Sequence, residues 1–225
     1  MKIVALLGSP HGLKGNTARL LKIVLDGAKR EGATTETAII TAKKVAPCLG
    51  CDRCHIQGHC RQKDDFETLK RKVMDADALI MATPNYLDHV SAQLKAFMDR
   101  CCGVVHCLGF EGRYGAAVVT SGGGEEQPIA EALNYFLIRT GIRPVGAVWA
   151  TMRNVGGPDF PPEITDQALR LGKELATAVK NKSKIRKIDK QMLACSERMQ
   201  ALVQYRQEEW PYEYNYWQEK KDSKL

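Results

Sequence analysis

The sequence predicts an α/β three-layer sandwich on a five-stranded parallel sheet, with a helical extension at its C-terminal end, and three observations carry that prediction. Short apolar runs alternate five times with longer amphipathic stretches, the pattern of strands joined by crossover helices. Turns rich in Gly, Ser and Pro punctuate the ends of the apolar runs. The 225 residues are 44% hydrophobic and 26% charged, a balance that suits a globular domain plus an appendage and argues against wholesale disorder.

The first strand, residues 3–7, closes at Gly8-Ser9-Pro10. Residues 16–30 form a helix, with Ala18, Leu20, Leu21, Ile23, Val24, Leu25 and Ala28 on a broad apolar stripe. Residues 35–40 are the second strand, and the cysteine-bearing segment after them reads as irregular loop. Asp64 and Asp65 open a helix that runs to residue 74, their carboxylates suited to its positive N-terminal end. The third strand, 78–82, ends in Thr83-Pro84-Asn85-Tyr86 and precedes a helix over 89–101. The fourth strand, 115–120, ends in Ser121-Gly122-Gly123-Gly124, with a helix over 125–139 behind it. A strand over 145–150 and a helix over 164–179 complete the alternation. Strands of such a sheet are buried on both faces, and ligands bind beyond their carboxyl ends.

The domain therefore spans residues 1–180, with the cysteine loop at 47–61. Residues 181–225 form an arm, a helix over 185–205 followed by Trp210, Tyr212, Tyr214, Tyr216 and Trp217. Aromatic residues this dense are expected to pack on the body or on a second subunit, so the arm is read as an oligomerisation element.

No apolar run approaches the roughly 20 residues of a membrane helix. Residues 1–7 are too short an apolar stretch for a signal peptide. A cytoplasmic location with no membrane partner is the expectation. The net charge of +7 raises nucleic-acid binding, but residues 181–225 hold ten Lys/Arg against seven Asp/Glu. The densest basic run, Lys182, Lys184, Arg186, Lys187 and Lys190, reads as a solvated helix face rather than a nucleic-acid patch.

The loop from Gly8 to Thr17 leads a strand into a helix N-terminus, where free backbone N–H groups favour an anion. It is neither a Walker A loop nor a Gly-x-Gly-x-x-Gly fingerprint, since Lys14 precedes Gly15 and neither pattern is present. Ser9, Asn16 and Thr17 suit a phosphate monoester; the alternative is that they only turn the chain and cap the helix. Pro84, Asn85 and Tyr86 could flank a planar ring, and Ser121, Gly122 and Gly123 let backbone approach one closely.

Four of the eight cysteines, Cys48, Cys51, Cys54 and Cys60, lie within thirteen residues. Four soft thiolates at this spacing suit a 4Fe-4S cluster; vacant thiols, zinc or a disulfide are the alternatives. Cys101, Cys102, Cys107 and Cys195 read as core filler. His55 and His59 fall inside the cysteine loop and read as solvent-facing, with hydrogen bonding to a cluster as the alternative.

Gly-Ser-Pro-x4-Gly-Asn-Thr, Pro47-Cys48-Leu49-Gly50-Cys51-x2-Cys54, Gly58-x-Cys60, Lys63-Asp64-Asp65, Pro84-Asn85-Tyr86 and Leu94-Lys95-Ala96-Phe97-Met98-Asp99-Arg100 resemble the NAD(P)H-dependent FMN reductases of flavodoxin fold. Within that family they most resemble the iron–sulfur flavoproteins, over residues 1–180. The resemblance implies a strand order of 2-1-3-4-5 and FMN as cofactor. Its phosphate would lie on Ser9, Asn16 and Thr17, with His11 where the family often has a basic residue. Its ring would lie between Pro84, Asn85 and Tyr86 on one side and Ser121, Gly122 and Gly123 on the other. The resemblance also implies a flavin-dependent oxidoreductase moving electrons between NAD(P)H or a ferredoxin-like donor and a small-molecule or protein acceptor. A cluster on the four cysteines would relay them, in a homodimer or homotetramer. Two other readings remain open: a cluster-free FMN or quinone reductase, and a non-enzymatic electron carrier, which the basic charge disfavours. Flavin chemistry needs no side-chain acid, base or nucleophile, so no catalytic residue is assigned.

Overall fold

The computed structural model describes residues 1–41, 44–155, 157 and 159–222. The last three residues of the expected arm, 223–225, lie outside the described residues. The strands are β1 (Lys2–Leu7), β2 (Thr34–Ile39), β3 (Ala78–Pro84), β4 (Tyr114–Ser121) and β5 (Arg143–Thr151). They form one parallel sheet in the order β2-β1-β3-β4-β5, the order the resemblance implied. The helices are α1 (Asn16–Arg30), α2 (Arg53–Gln57), α3 (Phe66–Met74), α4 (Ala92–Arg100), α5 (Cys102–Cys107), α6 (Glu126–Arg139), α7 (Pro162–Asn181), α8 (Arg186–Tyr205) and α9 (Pro211–Asp222).

Alternate residues of each central strand face opposite layers, as the pleat requires. Ile3, Ala5 and Leu7, with Ile80 and Val118, pack under α1 and α7. Val4 and Leu6, with Leu79, Met81 and Val119, pack under α3, α4 and α6. The first layer is held unusually close by two glycines. A Cβ on Gly27 would lie 2.2 Å from the Leu169 carbonyl oxygen, and one on Gly172 would lie 1.9 Å from that of Val24. Backbone therefore meets backbone where α1 crosses α7.

Several boundaries depart from the sequence reading, each for a local reason. The helix expected from residue 89 starts at Ala92, because the Ser91 side chain caps it by accepting from Leu94 N at 3.3 Å. Before it, Tyr86 and His89 pair as an isolated antiparallel bridge around Leu87 and Asp88, both at positive φ. Beyond Arg100 the chain starts a second short helix, α5, which the sequence reading missed. The cysteine segment is not wholly irregular, since α2 lies within it.

The arm folds onto its own body. Met192, Cys195, Met199 and Val203 recur at helical spacing along α8, and the last three form a third core with Leu108, just after α5, and Trp217 of α9. Trp217 Nε1 donates to the His106 carbonyl at 3.1 Å, and α9 packs on both α2 and α5. Among the described residues no helix is long and apolar enough to cross a membrane.

Candidate functional site

The loops after β1, β3 and β4 meet at the carboxyl edge of the sheet and are tied into one network. Thr17 Oγ1 and Thr120 Oγ1 share a buried 2.7 Å hydrogen bond, which links the start of α1 to the end of β4. Asn85 N donates to the Thr120 carbonyl at 2.7 Å, and Asn85 Nδ2 donates to that of Gly124 at 3.0 Å. Ser91 Oγ donates to the Gly8 carbonyl, closing the loop after β1 against the start of α4. Ser121 Oγ donates to Glu126 and accepts from Gly124 N at 2.7 Å.

Each expected flavin contact has a definite place here. Ser9 is buried, while His11 and Asn16 are exposed along the same loop, with Asn16 Oδ1 accepting from Arg19 at 2.9 Å. No side chain caps the N-terminus of α1 at Gly15, so its first N–H groups face the loop, as an anion there would require. Pro84 ends β3 rather than following it, and Tyr86 is half exposed. Gly122 and Gly123 have nothing within 4 Å of where a Cβ would sit and do not need positive φ. The chain itself gives no reason for glycine at either position; a flat ligand lying against them would. These residues fit a phosphorylated planar cofactor.

The cysteine loop is a different kind of construction. Asp52, Gly50 and Gly58 all take positive φ, so the chain turns sharply between successive cysteines. A Cβ on Gly58 would lie 2.4 Å from the Tyr212 ring, so α9 closes directly over this turn. Gly50 N donates to Cys48 Sγ at 3.4 Å. Arg100, its side chain fully buried, donates to Cys60 Sγ at 3.2 Å, to the Ala46 carbonyl at 3.3 Å and to Asp64. Its guanidinium also lies 4.5 Å from the Phe66 ring centre, and its Nε has no partner. Burial opposes ionisation of Asp64, but the Arg100 bond and the N–H groups of Ala46 and Phe66 outweigh it and hold the carboxyl below its ordinary 3.8. A buried cation aimed at a sulfur suits a thiolate ligand set carrying negative charge. Cys54, Gly58, Phe66, Arg100, Gly103 and Tyr212 line a cavity of about 230 Å³ beside it. Of the quartet only Cys54 lines that cavity; Cys48 and Cys51 are exposed, and the four thiols are not gathered into one ligand group among the described residues. The fit to an iron–sulfur cluster lies in the chemistry of the donor set, four thiolates on one loop beside a buried guanidinium.

Two readings of side chains near this loop need correction. His55 is buried, not solvent-facing, and Cys102 is exposed, not core filler, although Cys101, Cys107 and Cys195 are buried as expected. The fully buried Glu213 of α9 takes His55 Nδ1 on one oxygen at 2.5 Å and His106 Nδ1 on the other at 2.9 Å. Trp210 covers both rings, at centroid distances of 4.8 and 4.7 Å. Hydrogen bonds from His106 and His55 lower the Cys102 thiol to about 6, against burial. Burial opposes a charged His106, but its bonds to Cys102 and Glu213 raise it to about 9. The one sequence signal for this group was Cys102-x3-His106, an i,i+4 pair that puts both on one helix face.

The fold and site together define a flavin oxidoreductase of flavodoxin-like architecture. The model of the NADPH-dependent FMN reductase family matches residues 1–155. An iron–sulfur flavoprotein of Archaeoglobus fulgidus is 33% identical over 225 residues, covering 98% of this chain and 99% of its own. One from Methanocaldococcus jannaschii is 35% identical over 145 residues, 63% of this chain and 75% of that protein. A solved flavodoxin, WrbA-like protein from Agrobacterium tumefaciens superposes with a TM-score of 0.57 at 19% identity, over 80% of this chain and 98% of that one. The chain belongs to the NADPH-dependent FMN reductase family and, within it, to the iron–sulfur flavoproteins.

Proposed function

We propose that this chain is an FMN-dependent oxidoreductase that takes electrons from NAD(P)H or a ferredoxin-like protein and delivers them to a small-molecule or protein acceptor. A 4Fe-4S cluster on Cys48, Cys51, Cys54 and Cys60 would relay single electrons. The observation that carries the reading is the hydrogen-bonded meeting of three loops at one sheet edge, with the Arg100–Cys60 contact supporting the cluster.

When bound, FMN supplies the exchange between two-electron and one-electron carriers, and the cluster supplies one-electron transfer. The chain's own residues hold and orient. Ser9, His11, Asn16, Thr17 and the first N–H groups of α1 would hold the phosphate. Pro84, Asn85 and Tyr86 would flank the ring on one side, with Ser121, Gly122 and Gly123 on the other. Arg100 would lower the cost of negative charge at Cys60.

A cytoplasmic location suits the eight free thiols. Assembly as a homodimer or homotetramer through the arm is supported by the exposed Leu193 and Tyr205 of α8.

Steady-state NAD(P)H oxidation with quinone, flavin and ferredoxin-type acceptors tests the proposal. Turnover that falls when iron is removed supports the relay. Equal turnover by iron-free protein would leave a cluster-free reductase, and reduction only by a protein donor, with no release to small acceptors, would leave a carrier.

A further inference from the structure

His55, Cys102, His106 and Glu213 form a group that the flavin reading does not use and that borders the cysteine loop through His55; all but Cys102 are buried. Three elements distant in sequence build it: α2 brings His55, α5 brings Cys102 and His106, and α9 brings Glu213, with Trp210 just before α9 packed over both imidazoles. Glu213 engages both rings through Nδ1. A carboxylate there fixes the tautomer and orientation of an imidazole and leaves Nε2 as its coordinating atom. The group repeats that arrangement twice on one carboxylate.

His106 Nε2 faces Cys102 Sγ at 3.7 Å. One ring nitrogen of each histidine and the Cys102 sulfur all lie within 4.8 Å of one another. Bonds of about 2.0–2.1 Å from nitrogen and 2.3 Å from sulfur would close that triangle on one ion with small side-chain movements. Two imidazoles and one thiolate form a borderline-soft donor set, which suits zinc better than the hard, oxygen-seeking cations. Cys102 is the exposed member, and a groove of about 400 Å³ opens beside it and His106, lined also by Met98, Asp99, Tyr135 and Arg139.

We propose that His55, Cys102 and His106 form a mononuclear zinc site, oriented by Glu213 and open to solvent at its fourth position. The site borders the cysteine quartet, since His55 follows Cys54 in the chain and its side chain hydrogen-bonds that thiol, but the two share no ligand. A bound ion would clamp α2 to α5, while Glu213 would couple its retention to docking of α9. The open position gives a small anionic or thiol ligand access to the metal through the groove.

The test uses the flavin- and iron-loaded protein, exposed to excess zinc chloride, desalted, and analysed for zinc, iron and flavin per chain. One retained zinc is expected, at unchanged iron. Cys102→Ser and His106→Asn are each expected to lose it, and Glu213→Gln to weaken retention about 10- to 100-fold. X-ray absorption at the zinc edge of the wild-type protein gives a readout independent of any variant's folding. One sulfur at about 2.3 Å and two imidazole nitrogens at about 2.0–2.1 Å are expected. Failure to retain zinc, retention unchanged in Cys102→Ser, or a four-sulfur shell, which would put the zinc on the cysteine quartet, would overturn the proposal.

Discussion

The loops at the carboxyl edge of the sheet and the cysteine region beneath the arm, the two candidate cofactor sites, are built in opposite ways. The first is built where three strand ends converge. Asn85 N donates to the Thr120 carbonyl, and side-chain bonds between Thr17 and Thr120 and from Asn85 to the Gly124 carbonyl tie the neighbouring loops together. The second is built by side chains from distant segments: Arg100 reaches Cys60, Glu213 reaches two histidines, and Tyr212 covers Gly58. Strand ends that converge by topology keep their place when a single cross-link is lost. A side-chain cage depends on each member, because removing one leaves another buried and unpaired.

The sharpest way to break that comparison is Asp64→Asn, which leaves the Arg100 guanidinium buried without its carboxylate. A loss of about 3–5 kcal/mol in urea unfolding is expected, with iron lost before flavin. The same pair sets an acid limit. The Asp64 carboxyl is held below its ordinary 3.8, so its contribution is complete above that value. That contribution is lost as pH falls through the lower folded value. Stability measured from pH 6 to pH 2 should therefore fall less steeply in Asp64→Asn than in the wild type.

Thr17→Val tests the first region. It strands the Thr120 hydroxyl, so about 1–3 kcal/mol of stability and part of the flavin affinity should go, while iron content holds. Flavin titration of the apoprotein, beside iron analysis, reads both. Tyr212→Ala reverses the pattern: the side chain is 43% exposed, so a cost of about 1 kcal/mol and reduced iron retention are expected at full flavin content. Leu87→Gly has the smallest effect and the opposite sign. Leu87 sits at φ 50° and is 99% exposed, so relieving the left-handed strain should raise stability by about 1 kcal/mol in thermal melts.

The two regions also differ in how much of each could be read from the sequence. Strand–turn–helix order is local, so the parallel sheet and its three distinctive loops were legible, as was the cysteine quartet with its short spacing; the strand order came from the family resemblance. The Leu87–Asp88 turn carries no glycine to announce its positive φ, and the helix after it was accordingly started three residues early. Arg100 was visible within a motif, but its reach across forty residues to Cys60 was not. Cys102 looked like core because small thiols usually are, and only the fold brings His55 beside it. Glu213 lay in a segment read for its aromatic rings, more than a hundred residues from the histidine it shares with α5.

The central claim is that one chain carries both a flavin cradle and a filled cysteine cage. Anaerobic purification followed by flavin, iron and acid-labile sulfide analysis tests it most directly. The account predicts one FMN per chain with about four iron and four sulfide, and a broad absorption shoulder added to the flavin bands. Flavin without iron would contradict the cage, and iron without flavin would contradict the cradle and the function built on it.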